Sequence, residues 1–224
     1  TILVSGIHPE GFSWLLPPGE TFDTPEAILS FSTEGLNGLS RNYHDIIRQQ
    51  VIPPRWQQAG RPVLINSWEA AEFDFDGEKL LRFAGAAKEM GIGMLVLDDG
   101  WFGKRDDDRS GLGDWTVNGK KLGCSMKELS DQIHELGLQF GLWFEPEMVS
   151  PDSNLYRAHP DWCLHVPGRY RNQQRQQLIL DMSRNDVQDY IIDAVSKVLE
   201  SANIEYVKWD MNRNFSEVGS ALLT

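Results

Sequence analysis

The chain has 224 residues, of which 33 are acidic and 21 are Lys or Arg, so its formal net charge is −12. Domains average about 150 residues and a complete (β/α)8 barrel needs about 250, which excludes a complete barrel together with a second domain. Phosphate groups would repel so acidic a chain, so we expect neither nucleic acid nor a membrane as a partner.

The two cysteines, Cys124 and Cys163, are too few for a disulfide framework or a cysteine-rich metal site. Reduced thiols are the rule in the cytoplasm, and no run of 18 apolar residues predicts a membrane span. The first residues, Thr1-Ile2-Leu3, include neither an initiator Met nor the start of a signal peptide. We therefore expect a cytoplasmic protein whose sequence begins within a strand, as in a truncated gene product.

Residues 1–60 are rich in turn residues and differ from the rest of the chain. Their short apolar runs predict strands over residues 1–5, 12–16 and 27–33. A helix is predicted over residues 39–51, with Ser40 as a possible N-cap and Pro53-Pro54 after its end. We interpret this region as the tail of an antiparallel β domain followed by a linker helix.

From residue 61 to residue 224, short apolar strands alternate with amphipathic helices. The predicted strands are 62–68, 93–97, 138–144, 177–180 and 204–209. The predicted helices are 77–90, 126–136 and 186–202, the last capped by Ser183 or Asn185. This alternation is typical of a parallel sheet buried on both faces. No glycine-rich phosphate-binding motif follows a strand, which favours a (β/α) barrel over a doubly wound nucleotide-binding sheet.

Polar and aromatic residues are concentrated where the predicted strands end. They are Trp68, Glu69, Asp98, Asp99, Trp101, Trp143, Glu145, Glu147, Asp181, Lys208, Asp210 and Asn212. The carboxyl ends of the strands carry the chemistry in a barrel. Carboxylates accept hydrogen bonds from sugar hydroxyls, and indole faces pack on the apolar face of a pyranose. No His lies among these residues, which disfavours a His-ligated metal and a Ser-His-Asp triad, although a metal held by carboxylates alone stays possible.

The segment Tyr206-Val207-Lys208-Trp209-Asp210-Met211-Asn212 is the most informative. Side chains alternate along a strand, so Lys208 and Asp210 share one face, with Asn212 just beyond. A nearby ammonium lowers the pKa of a carboxyl, and an ionised Asp can attack an anomeric carbon. A buried ion pair without a catalytic role is the alternative, but such pairs stabilise proteins only weakly.

Asp98 and Asp99 are adjacent, so both reach the same site only if the chain leaves the sheet there. They could hold sugar hydroxyls or a metal ion, or serve as a helix cap. Trp68 and Trp143 each end a strand, where they fit either a pocket wall or the core.

Two segments outside the strand ends contain clustered charges. Arg175 could donate a hydrogen bond to a substrate hydroxyl or belong to a surface loop. The charge run at residues 105–109 predicts a solvated loop.

These motifs strongly resemble glycoside hydrolase family 36, the bacterial α-galactosidases. The matching segments are NSWE (66–69), LDDGWF (97–102), GLWFEPEMV (141–149), LDMSR (180–184) and YVKWDMNR (206–213). Residues 15–20 and 24–27 resemble the end of that family's N-terminal β-sandwich. The resemblance therefore implies an α/β fold: the first half of a TIM-type (β/α)8 barrel over residues 61–224, preceded by the tail of an antiparallel β-sandwich domain over residues 1–60.

The resemblance also implies roles for individual residues. Asp210 would be the catalytic nucleophile of a retaining α-galactosidase that hydrolyses terminal α-galactosides such as melibiose and raffinose. Asp98 and Asp99 would hold the galactose hydroxyls farthest from the scissile bond, including the axial 4-OH. The residues implied to bind substrate are Asp98, Asp99, Trp143, Arg175, Lys208, Asn212 and Trp68. Members of the family need no cofactor or metal and are often homotetramers.

The chain departs from the family pattern in one respect. The family's acid/base follows a downstream segment containing Cys-Ser-Gly, and the chain reaches Thr224 without it. We therefore expect a fragment with little activity of its own. The family's nucleophile lies on the fourth barrel strand, so the 177–180 strand is assigned to the loop region after strand three.

Three alternatives to a galactosidase stay open. They are a transglycosidase of the raffinose or stachyose synthase type, a non-hydrolytic galactose-binding fragment, and a metal-dependent enzyme that uses Asp98, Asp99 and Glu145.

Overall fold

The computed structural model describes residues 4–216 and 219–222. The chain divides into two compact units, Thr1–Arg61 and Pro62–Thr224. Within the described residues, no helix has the length and apolar character needed to cross a membrane. The candidate site lies wholly within the second unit.

The first unit contains helices and irregular chain in its described part. Helix α1 (Gly35–Ile46) continues into a π-helical turn (Ile47–Val51), and the short helix α2 (Pro54–Gln57) follows. The strands predicted over residues 12–16 and 27–33 are wrong, as is the part of the first predicted strand at residues 4 and 5. Residues 1–3 of that strand lie outside the described residues. A strand needs a hydrogen-bonded neighbour, and the described residues offer these segments none.

Helix α1 starts earlier than predicted. Glu34, not Ser40, precedes its first residue, and the Ser32 hydroxyl accepts the Glu34 backbone N–H at 3.1 Å. The helical run ends as predicted before the prolines, because the residue before a proline favours an extended backbone. The assignment of this unit to the end of a β-sandwich domain stays a prediction.

The second unit is built on a parallel sheet. Its strands are β1 (Leu64–Asn66), β2 (Met94–Leu97), β3 (Gln139–Phe144), β4 (Met148–Val149), β5 (Leu178–Ile179) and β6 (Tyr206–Trp209). In the described part of the chain, the sheet has the order β1-β2-β3-β6, and all neighbouring strands are parallel. This confirms the α/β prediction. Strands β4 and β5 form a separate antiparallel pair, so the predicted 177–180 strand lies outside the main sheet, as expected.

Helices cover the sheet. They are α3 (Trp68–Ala71), α4 (Gly77–Glu89), α5 (Gly119–Leu122), α6 (Met126–Glu135), α7 (Asn154–Ala158) and α8 (Asn185–Glu200). The apolar faces of α4, α6 and α8 are buried, as are all four residues of β2. A strand that is apolar on both faces needs such a cover, so the continuous apolar runs in the sequence are explained by this layer of helices.

The start of helix α8 differs from the prediction. Arg184 occupies the N-cap position, and no side chain caps the helix. Ser183 is instead engaged by Asp181, which accepts both its backbone N–H and its hydroxyl. Helix α6 has the capping box that α8 lacks, because Ser125 and Glu128 each accept the other's backbone N–H.

Two neighbouring isoleucines of α8 test this packing. Ile191 is 3% exposed and Ile192 is 64% exposed. We expect Ile191→Ala to lower the free energy of unfolding by about 2–5 kcal/mol, because it removes buried methyl groups and leaves a cavity. Ile192→Ala should change it by less than about 0.5 kcal/mol. Denaturant unfolding of both variants measures the difference, and equal effects would contradict the predicted burial of the Ile191 face.

Candidate functional site

The parallel strands place their polar ends at one edge of the sheet. Between β3 and β6, Trp143 pairs with Lys208, and between β2 and β3, Leu97 pairs with Leu142. The residues that follow β1, β2, β3 and β6 therefore meet. A cavity of about 180 Å³ at this edge is lined by all eight residues predicted for the site: Trp68, Asp98, Asp99, Trp143, Arg175, Lys208, Asp210 and Asn212.

The size of this cavity limits its ligand. Pockets for drug-sized molecules occupy about 300–1,000 Å³, so this one suits a single small ring. Larger cavities of about 430 and 470 Å³ lie elsewhere in the unit. Those are lined mainly by residues of helices and loops and gather no carboxylates from the strand ends.

Lys208 bridges two of the carboxylates. Its Nζ donates to Asp98 Oδ2 at 2.8 Å and lies 3.7 Å from Asp210 Oδ2. The predicted proximity of Lys208 and Asp210 is thus observed, but Asp98 is the closer partner. Burial opposes the charge on Lys208, yet the two carboxylates outweigh it and raise its pKa. The side chain is therefore a cation at neutral pH.

Asp210 is held by donors on both oxygens. Trp143 Nε1 and Asn212 Nδ2 donate to Oδ2 at 2.9 and 3.0 Å, and the Met211 backbone N–H donates to Oδ1 at 2.9 Å. Burial opposes ionisation, but these hydrogen bonds and Lys208 outweigh it, so the pKa of Asp210 is lowered. The carboxylate is ionised and oriented.

Asp98 and Asp99 both reach the cavity although they are adjacent. Gly100, with φ of +108°, turns the chain away from the sheet directly after them. Asp98 Oδ2 also accepts from Asn66 Nδ2 at 2.5 Å. Asp99 is bound by Arg105, whose Nε and Nη2 donate to its two oxygens at 2.9 and 2.7 Å. Burial raises the pKa of Asp99, and the guanidinium opposes that shift.

Arg105 corrects the prediction for the charge run. It is 1% exposed, so a solvated loop is wrong for this residue, while Asp106, Asp107, Asp108 and Arg109 are exposed as predicted. No local sequence signal marks Arg105, because only the conformation of the loop brings it to Asp99. The described residues contain no group of three His, Cys, Asp or Glu side chains arranged to hold a metal ion.

Arg175 lies at the tip of a tight turn. Gln174 and Gln177 pair across the turn, and the two central residues, Arg175 and Gln176, have φ of +52° and +59°. The Arg175 Nη1 donates to Asn212 Oδ1 at 2.9 Å. The residue is exposed yet lines the cavity, so it belongs to the site as well as to a surface loop.

The two tryptophans differ in burial. Trp143 is 1% exposed and serves both core and site. Trp68 begins α3 directly after β1, is partly exposed, and packs edge-on against Phe73 with ring centroids 5.1 Å apart. Both of the roles left open by the sequence, pocket wall and core packing, therefore apply to Trp143.

Several strand-end residues do not line the cavity: Glu69, Trp101, Glu145, Glu147 and Asp181. Trp101 belongs to a buried aromatic cluster, and its Nε1 donates to the Trp143 carbonyl at 2.9 Å. Glu145 is 1% exposed and accepts from Gln177 Nε2 and from the Asn212 backbone N–H. Burial raises its pKa against those hydrogen bonds. The sequence did not predict the contacts of Glu145 with Gln177 and Asn212, because only the folded loops bring these segments together.

Comparisons with known proteins identify the family of the chain. The family model of Melibiase matches residues 21–224. Alpha-galactosidase AgaA of Geobacillus stearothermophilus is 58% identical over 218 residues, which cover 97% of this chain and 30% of the relative. Alpha-galactosidase Mel36A of Lactobacillus acidophilus is 47% identical over 214 residues, which cover 96% of this chain and 29% of the relative.

Solved structures give the same result. The crystal structure of the GH36 α-galactosidase AgaB from Geobacillus stearothermophilus has a TM-score of 0.91 and 57% identity. The match covers 98% of this chain and 30% of that chain. A structure of an AgaA variant contains raffinose and another contains stachyose.

A parallel α/β sheet with carboxylates and tryptophans at the carboxyl ends of its strands has the arrangement typical of a barrel enzyme. The chain belongs to the Melibiase family. The solved structures confirm the resemblance to glycoside hydrolase family 36 and a fold consistent with part of an α/β barrel. The chain spans about 30% of the length of the relatives it matches.

The pair of Asp99 and Arg105 generates a stability prediction. We expect Asp99→Ala to lower the free energy of unfolding by about 3–5 kcal/mol, because it leaves a buried guanidinium without its carboxylate. Asp108→Ala, in the exposed part of the same loop, should cost less than about 0.5 kcal/mol. Denaturant unfolding compares the two variants. A loss for Asp99→Ala as small as that for Asp108→Ala would show that the pair is not buried.

Proposed function

We propose that the protein that carries this chain is a retaining α-galactosidase that acts through a covalent galactosyl-Asp210 intermediate. The observation that carries the proposal is the state of Asp210, an ionised carboxylate held by Trp143 and Asn212 at the wall of a cavity of single-ring size. Its relatives are named α-galactosidases, and AgaA variants bind raffinose and stachyose, which supports terminal α-galactosides as substrates.

The hydrogen bonds around Asp210 favour one of its oxygens as the nucleophile. Oδ2 accepts from Trp143 and Asn212 and faces Lys208, whereas Oδ1 accepts from the Met211 N–H. Oδ1 therefore has the more available lone pair. In the first step Oδ1 forms a bond to the anomeric carbon while the glycosidic bond breaks. The leaving oxygen takes a proton from an acid/base carboxyl about 5–5.5 Å from the nucleophile, which the family resemblance puts beyond Thr224.

The second step releases galactose. Water attacks the anomeric carbon of the ester, loses a proton to the same acid/base carboxylate, and the bond to Asp210 breaks. Two displacements leave the α configuration unchanged. Asp98 and Asp99, each neutralised by a protein cation, accept hydrogen bonds from the hydroxyls at the far side of the ring. The cytoplasmic location and the homotetramer stay predictions.

Replacement of Asp210 tests the proposal directly. We expect Asp210→Ala, in the protein that carries this chain, to abolish release of galactose from an aryl α-galactoside. Added azide should restore turnover and give β-galactosyl azide, because the anion enters where the carboxylate was. Asp189→Ala, at an exposed position on α8, should keep full activity. Substantial activity of Asp210→Ala without azide would refute the assignment.

The pKa of Asp210 gives a prediction on pH. The nucleophile acts ionised, so kcat/KM falls as the pH drops through the pKa of Asp210. Hydrogen bonds from Trp143 and Asn212 help to hold that pKa low. Asn212→Ala removes one donor, so the acidic limb of the profile of kcat/KM should move to higher pH. Asn185→Ala, at an exposed position, should leave it unchanged, and an unmoved limb for Asn212→Ala would contradict the role of this hydrogen bond.

A further inference from the structure

Glu145 is a buried carboxylate that the proposed mechanism does not use. It directly follows β3, is 1% exposed, and does not line the cavity. Among the described residues no Lys or Arg pairs with it. It accepts hydrogen bonds from Gln177 Nε2, at 3.0 Å, and from the Asn212 backbone N–H. Burying a carboxylate costs several kcal/mol. Such a group is expected where its two oxygens hold something in place.

One oxygen holds the segment that follows the nucleophile. Glu145 Oε1 accepts the backbone N–H of Asn212, whose side chain donates to Asp210 Oδ2 at 3.0 Å. The same side chain accepts from Arg175 Nη1 at 2.9 Å. The backbone anchor therefore holds the main chain from which the carboxamide of Asn212 reaches Asp210, and this carboxamide is one of the donors that orient Asp210.

The other oxygen holds the turn that carries Arg175. Gln177 donates to Glu145 through its side chain and pairs with Gln174 through its backbone. The two residues between them adopt left-handed conformations, which cost non-glycine residues on the order of 1 kcal/mol each. A turn of this kind persists only when its ends are held. The contact from Gln177 to Glu145 supplies a buried anchor at one of those ends.

We propose that Glu145 is a positioning residue, which sets the geometry of Asn212 and Arg175 around Asp210 without contacting the substrate. The proposal rests on the proposed function, since it assigns Glu145 a part in the same reaction. One carboxylate fits this place because both neighbours present N–H donors to it. An amide at position 145 would have to point its own NH2 group at one of them.

Glu145→Gln tests this geometry with almost no change in volume. We expect kcat/KM for an aryl α-galactoside to fall several-fold, with most of the loss in kcat, because a neutral amide oxygen binds the Asn212 N–H more weakly than a carboxylate does. Gln177 can turn its own amide so that its oxygen accepts from the new NH2 group, so the loss of charge is the main change. Glu147→Gln makes the same chemical change two residues away, at a half-buried position, and should stay within about twofold of the parent.

A substitution at the partner position tests the same contact. Gln177→Glu should lower kcat/KM, because two carboxylates then face each other. A merely structural role would lower the yield or Tm of the single variants but would not alter kcat per folded enzyme.

The outcomes separate this inference from the function on which it rests. Unchanged kcat/KM for folded Glu145→Gln, or for folded Gln177→Glu, overturns the role of Glu145. Where Glu145→Gln does not fold, Gln177→Met removes the Gln177 donor and leaves the Glu145 carboxylate in place. It should lower kcat/KM several-fold, and an unchanged value also overturns the role. Activity retained by Asp210→Ala would instead overturn the proposed function, whatever the variants at position 145 do.

Discussion

The parallel pairing of β2, β3 and β6 is the constraint on which the site depends. Lys208 lies on β6, and its ammonium passes the end of β3 to reach Asp98, which follows β2. A shift of one residue between β3 and β6 would turn Lys208 to the opposite face of the sheet. The register thus determines that Lys208 meets Asp98 and neutralises it, while the loop places Arg105 to neutralise Asp99.

Two carboxyl groups that Asn212 links have pKa values shifted in opposite directions. Asp210 is partly buried and surrounded by donors, and its pKa is lowered. Glu145 is almost fully buried, and desolvation raises its pKa in spite of two hydrogen bonds. Asn212 links them, because its backbone binds Glu145 and its side chain binds Asp210. In the proposed mechanism, Asp210 is the carboxylate that reacts and Glu145 is the one that supports it.

The sequence was sufficient for the sheet and for the cavity residues at the strand ends, for a physical reason. Arg175, which lies in a loop, was predicted only from the family resemblance. Apolar runs that end in Asp98 or Asp210 are local patterns, and parallel pairing brings such ends together whatever the loops do. The contact of Arg105 with Asp99 depends on a loop conformation, so its charge looked like that of its solvated neighbours. The contact of Glu145 with Gln177 joins distant segments. The strands predicted in the first unit failed because a short apolar run between turns forms a strand only where a partner strand exists.

The proposed mechanism requires a covalent bond between Asp210 and the sugar, and trapping that intermediate is its most decisive test. The protein that carries this chain would be incubated with a fluorinated α-galactosyl fluoride that forms the ester quickly and loses it slowly. Peptide mass spectrometry should then find one sugar on the peptide containing Tyr206–Trp209 and Asp210, with the label on Asp210. A sugar attached to another residue would contradict this mechanism. Turnover of the reagent with inversion and without any adduct would also contradict it.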